Sequence, residues 1–123
     1  MASRIKISTS RDDALGVVII TLSGRMDIHS LETFRFTIQE ELNQKNYRIV
    51  LDMKEISFII STYIGLILTF QKHVKKNGGD LKLTSLCEEV SNIFELMGIT
   101  SLLKIYDKNY QALDAFKEES SQS

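Results

Sequence analysis

The feature that most limits how this chain can fold lies in residues 49–68. An apolar run, Ile49-Val50-Leu51, precedes Ile56-Ser57-Phe58-Ile59-Ile60-Ser61-Thr62-Tyr63-Ile64-Gly65-Leu66-Ile67-Leu68. The first run fits a strand covered on both faces, as in the middle of a parallel sheet. The second leads into a helix. At about 100° per residue, Tyr63, Ile64, Leu66, Ile67, Leu68, Phe70 and Val74 share one broad arc. Ser61, Gly65, Thr69, Lys72 and Lys76 fall on the opposite, polar side. Ser61 and Thr62 therefore sit where strand gives way to helix, and two readings stand for them. As an N-cap, either would satisfy one orphan backbone N–H, the commoner fate of such residues. As a modification site, either would place a phosphate against the positive helix end and change the local charge by nearly two units.

The rest of the chain supplies partners for that strand. Ile5-Lys6-Ile7-Ser8 alternates as a first, edge strand, and Arg11 to Gly16 is a polar connection ending in a turn. Val17 to Ser23 reads as a well-buried strand that Gly24-Arg25-Met26-Asp27 breaks. Ser30 is placed to cap a helix whose apolar stripe is Leu31, Phe34, Ile38 and Leu42, with Phe36 on its wet side. Asn77-Gly78-Gly79-Asp80 turns the chain into a strand, Leu81-Lys82-Leu83. Ser85 with Glu88 forms a capping box before a helix with Val90, Ile93, Phe94 and Met97 on its inner face. Gly98 closes that helix, with Ile99 placed for an apolar contact beyond it. Leu102 to Tyr106 is a last short strand, and Asp107 caps a helix bearing Leu113 and Phe116. From Val17 onward the alternation implies a single α/β domain. Its sheet is mixed and mostly parallel, with right-handed crossovers and about four helices.

Several functions are disfavoured. With 15 basic and 16 acidic side chains the net charge is -1, which speaks against a nucleic-acid footprint. The apolar runs are too short to span a bilayer, and the N-terminus lacks a signal-peptide pattern. One cysteine, Cys87, allows no internal disulfide and suits the cytoplasm. His29 and His73 are not at metal-ligand spacing from each other or from Cys87. The glycine-rich phosphate loops and the serine-nucleophile elbow are missing, so no cofactor or enzymatic activity is expected. Asp27 and Asp52 could pair as acids but read more simply as turn and strand-end residues. A binding or switching module fits best.

Three stretches, taken in order, resemble the STAS-domain proteins, the anti-sigma factor antagonists of bacterial partner-switching systems. Leu22-Ser23-Gly24-Arg25-Met26-Asp27 is similar to the family's glycine-to-aspartate signature before the first helix. Val50-Leu51-Asp52-Met53 through Gly65-Leu66-Ile67-Leu68 resembles its central strand and phosphorylation loop. Lys75-Lys76-Asn77-Gly78-Gly79-Asp80-Leu81-Lys82-Leu83 resembles its helix-to-strand return. The resemblance covers roughly Ile5 to Phe116, so a STAS domain is expected over residues 1–117, and Glu118 to Ser123 reads as a frayed, disordered tail. The resemblance implies that the protein binds an anti-sigma factor, often itself a serine kinase, and so frees a sigma factor. The kinase ends the complex by phosphorylating the antagonist, and a PP2C-type phosphatase resets it. Ser61 matches the phosphorylated serine, with Thr62 the second choice, and Asp27 matches an acidic residue of the partner-binding surface. Asp27, Ser61, Thr62, Tyr63, Gly65, Thr69 and Lys72 are the expected partner-binding residues. Where the family usually has an aspartate before the serine and a glycine after the hydroxyl pair, this chain has Ile60 and Tyr63. Those departures keep open an adaptor or scaffold that is not phosphorylated; fold-level analogy alone adds a transport-system subunit as a lesser alternative.

Overall fold

The computed structural model describes residues 5–121. Its sheet has five strands in the order β1-β2-β3-β4-β5: β1 Lys6–Asp12, β2 Val17–Met26, β3 Arg48–Ile59, β4 Asp80–Thr84 and β5 Lys104–Tyr106. β1 and β2 form an antiparallel hairpin and every other pairing is parallel, so the sheet is mixed. The helices are α1 Leu31–Asn43, α2 Ser61–Lys76, α3 Glu88–Leu96 and α4 Asn109–Ser121. This is the element order that the sequence patterns imply.

β3 is central because both of its faces are apolar, and the alternation decides which helix each residue meets. Ile49 and Leu51 join Val18, Ile20, Leu22, Leu81 and Leu83 in a core shared with α1, α2 and α3. Val50 points the other way, into a smaller cluster with Val17, Ala112 and Phe116 beneath α4. The helices thus lie three on one face and one on the other. Because α4 covers the second face, all five residues of β4 are buried, including Lys82. Gly79 has no room for a side chain: a Cβ there would lie 1.8 Å from the Tyr47 carbonyl oxygen, which accepts the Asp80 N–H at 2.9 Å.

Several local expectations are corrected. β2 does not break at Gly24. It runs on to Met26, and Gly24 takes φ 110° where the β2–β3 register shifts, the signature of a bulge. Ser30 does not cap α1 with its side chain; its Oγ accepts the Ile5 N–H at 3.2 Å instead and is buried. Ser85 is no capping box, because φ 62° turns its Oγ toward the Asp107 carbonyl at 3.1 Å and leaves Cys87 at the N-cap. Met97 is exposed, whereas Gly98 and Ile99 close α3 with paired backbone bonds to Glu95 and Phe94 as expected. Residues 118–121 are not a loose tail: α4 continues to Ser121, and Glu119 Oε2 lies 2.8 Å from Lys82 Nζ. Residues 122–123 lie outside the described residues.

Candidate functional site

The carboxyl ends of β2 and β3 reach well past β4, whose pairing with β3 stops at Asp52↔Thr84. That overhang brings two connections side by side. One is the single 3-10 turn Ile28–Ser30 after β2, capped by Asp27, whose Oδ1 accepts the His29 N–H at 3.0 Å. The other is Ile60, in extended conformation ahead of α2, whose N–H donates to the Met26 carbonyl at 3.0 Å. Asp27 and Ser61 are each one residue from the ends of that bond, so they share one surface.

Ile60, not Ser61 or Thr62, occupies the N-cap position, and no side chain caps α2. The capping reading of the two hydroxyls is therefore corrected. Ser61 is the first helical residue, and both it and Thr62 are exposed. The exposed stripe continues through Gly65, Thr69 and Lys72, as the helical spacing implies. Thr69 Oγ1 donates to the Gly65 carbonyl at 3.0 Å. Gly65 has open space where a Cβ would be. A glycine inside a helix costs roughly 0.5–1 kcal/mol relative to alanine, and no internal packing at Gly65 requires it.

Tyr63 is the exception among the expected partner contacts. It is fully buried, with its ring edge-on to Phe34 at 5.4 Å and its hydroxyl donating to the Asp27 carbonyl at 2.5 Å. It lies under the surface and fastens the turn to the helix. Burial, with the Asp27 charge as a second cause, pushes the phenol from 10.0 up to about 12. The folded state thus keeps a proton that the unfolded chain loses, so this contribution to stability is complete below pH 10 and declines as pH rises toward 12. Tyr63→Phe should cost about 1 kcal/mol at neutral pH and flatten the fall in stability above pH 10. Urea titrations at pH 7 and at alkaline pH measure both effects.

Sequence reasoning missed three neighbours of Asp27. Ile28, on the 3-10 turn, is 63% exposed despite its apolar side chain. Phe58, 37% exposed, carries the Arg25 guanidinium 4.1 Å above its ring, and Arg25 Nε lies 3.9 Å from Asp27 Oδ2. Only the bulge at Gly24 brings Arg25 level with Phe58, and spacing along one strand does not reveal a bulge. Asp52 takes no part in this face. Its carboxylate accepts from Asn109 Nδ2 at 2.9 Å and the Lys54 N–H at 3.0 Å, tying β3 to α4. Among the described residues no cluster of His, Cys, Asp and Glu is placed to hold a metal ion. No helix among them is long and apolar enough to cross a membrane.

Comparison with known proteins bears on the fold and the family. The anti-sigma F factor antagonist of Paenibacillus polymyxa is 29% identical over 99 residues, 80% of this chain and 85% of that protein. An anti-sigma factor antagonist from Mycobacterium paratuberculosis superposes with TM-score 0.83 at 18% identity, covering 92% of this chain and 94% of its own. The anti-sigma factor antagonist SpoIIAA of Bacillus in its unphosphorylated form superposes with TM-score 0.79 at 21% identity, covering 92% and 97%. Its phosphorylated form gives TM-score 0.69, covering 89% and 98%. The sequence profile of the STAS domain matches residues 8–112. This chain belongs to the STAS domain family.

Proposed function

We propose that this protein is an anti-sigma factor antagonist, acting by binding and not by catalysis. It docks on an anti-sigma factor of the serine kinase type through Asp27, Ser61, Thr62, Gly65, Thr69 and Lys72, and thereby frees a sigma factor in the bacterial cytoplasm. The γ-phosphoryl group of ATP passes to Ser61 Oγ, ADP leaves, and the complex ends; a PP2C-type phosphatase restores the hydroxyl. The observation that carries this reading is Ser61 itself. It is exposed at the first turn of α2 and held beside Asp27 by the Ile60–Met26 bond. The names of the relatives support the role, and Gly65, uncrowded within its own chain, suits close approach of another backbone. Tyr63, where the family usually has glycine, is no obstacle to docking because it is buried.

The test is the intact mass of protein purified from its native organism, with any phosphate mapped by peptide fragmentation, followed by transfer from the organism's own anti-sigma kinase. Phosphate on Ser61 is the expected result. Protein left bare at Ser61 in both experiments would replace switching with an unregulated adaptor role.

A further inference from the structure

We propose that β1 is a self-association edge, through which two copies of this chain pair antiparallel about Thr9 to make one continuous ten-stranded sheet. This inference is independent of Ser61 and its modification. Among the described residues β1 pairs with β2 alone, without a register shift from Lys6↔Ser23 to Asp12↔Val17, so it presents a straight seven-residue edge. Soluble proteins usually blunt such an edge with proline, a bulge, charged side chains or extreme shortness. The opposite edge follows that rule, since β5 has three residues. In β1 the charges, Lys6, Arg11 and Asp12, stand toward the two ends and are of both signs. The chain contains no proline, and the centre of β1 is Ser8-Thr9-Ser10, uncharged and exposed.

The sequence of β1 is self-complementary in the antiparallel sense. About a two-fold axis at Thr9, Lys6 of one copy faces Asp12 of the other, Ser8 faces Ser10, and Ile7 faces Arg11. Positions directly opposite in an antiparallel pair have their side chains on the same face, so both Lys6–Asp12 pairs meet as opposite charges. Asp12 is already oriented, because its Oδ1 accepts the Leu15 N–H at 3.0 Å. A slip that brings Ser10 to the axis would lose these pairings, whereas one that brings Ser8 there would exchange Lys6 for Arg4 opposite Asp12. A second copy of this chain is therefore the occupant whose charge pattern the edge fits. The two-fold operation closes the assembly and leaves only the short β5 edges open.

Sedimentation equilibrium of the full chain over a concentration series up to about 1 mM tests this. The expected result is a weight-average mass that climbs from 14.0 kDa toward twice that value. Hydrogen exchange should slow with concentration only within residues 6–12. Thr9→Lys places two like charges face to face at the axis and should weaken dimerisation at least tenfold without changing the melting temperature of dilute, monomeric protein, since Thr9 is exposed. Lys6→Glu should weaken it too, and the wild-type dimer should loosen as salt is raised. A wild-type protein that stays at 14.0 kDa throughout overturns the proposal. So does a dimer that Thr9→Lys leaves intact, or one whose exchange protection falls outside β1.

Discussion

Lys82→Met should destabilise the folded protein by about 4 kcal/mol. Lys82 has no solvent exposure, and its ammonium lies 2.8 Å from both Asp80 Oδ2 and Glu119 Oε2 and 4.5 Å from the centre of the Phe116 ring. Methionine fills much of the same space but leaves the buried Asp80 carboxylate, 3% exposed, with only the half-exposed Lys104 at 3.9 Å to balance it. Most of the loss comes from that poorly balanced charge and not from the missing pair, since breaking one half of a buried pair costs far more than replacing both halves. Lys82→Met combined with Asp80→Asn should therefore recover part of the stability. Urea denaturation measures both variants, and for a domain of this size the single change lowers Tm by roughly 10 °C or more. A loss below about 1 kcal/mol would mean that Lys104, 3.9 Å from Asp80, moves in to replace the missing cation.

The same cluster sets a pH signature. Burial alone would raise the Glu119 pKa, but the hydrogen bonds and charges of Lys82 and Lys104 outweigh it and hold the group below its usual value. Its contribution is present above the unfolded carboxylate pKa and is lost as pH falls through the folded one. Burial would likewise lower the Lys82 pKa, yet Asp80 and Glu119 together hold it above 10.5. Its contribution is complete below that value and fades only as pH rises through the higher folded pKa. Through Glu119, acid should therefore destabilise wild type slightly more steeply than Lys82→Met, a small effect because that side chain is 39% exposed.

The sequence made periodic features legible and concealed those that depend on a distant partner. The order of strands and helices follows from runs such as Ile49-Val50-Leu51 and from the α2 arc, because burial repeats with backbone geometry. The polar stripe through Ser61, Gly65, Thr69 and Lys72 was readable for the same reason. Lys82 stands between two leucines in the strand pattern, and its burial depends on α4 returning more than 30 residues later with Phe116 and Glu119. Ser30 and Ser85 carried capping chemistry, but other backbone groups claim their hydroxyls. Tyr63 fell correctly on the apolar arc. Its bond to the Asp27 carbonyl, 36 positions away, is tertiary and left no mark in the local pattern.

Ser61→Asp should leave the fold intact and abolish docking. Ser61 is exposed at the first turn of α2, where no acidic side chain is present. A carboxylate there meets the positive helix end and should stabilise the isolated protein by about 0.3–1 kcal/mol. On the proposed docking face the same charge must be stripped of water beside Asp27, and it repels any partner group arranged to meet that aspartate. Affinity for the organism's own anti-sigma kinase should fall at least a hundredfold, about 2.7 kcal/mol or more, and a phosphate, with nearly twice the charge, should do more. Calorimetric titration reads the affinity and thermal melting reads the fold, and the opposite signs of the two effects separate an interface role from a structural one. Ser61→Ala should bind like wild type while accepting no phosphate at that position. Thr62→Asp carries the same charge one position further around the helix, away from the Gly65 and Thr69 stripe, and should weaken binding less than Ser61→Asp. If Ser61→Asp binds as tightly as wild type, negative charge at the start of α2 does not drive the partner off, and the switch is not at Ser61.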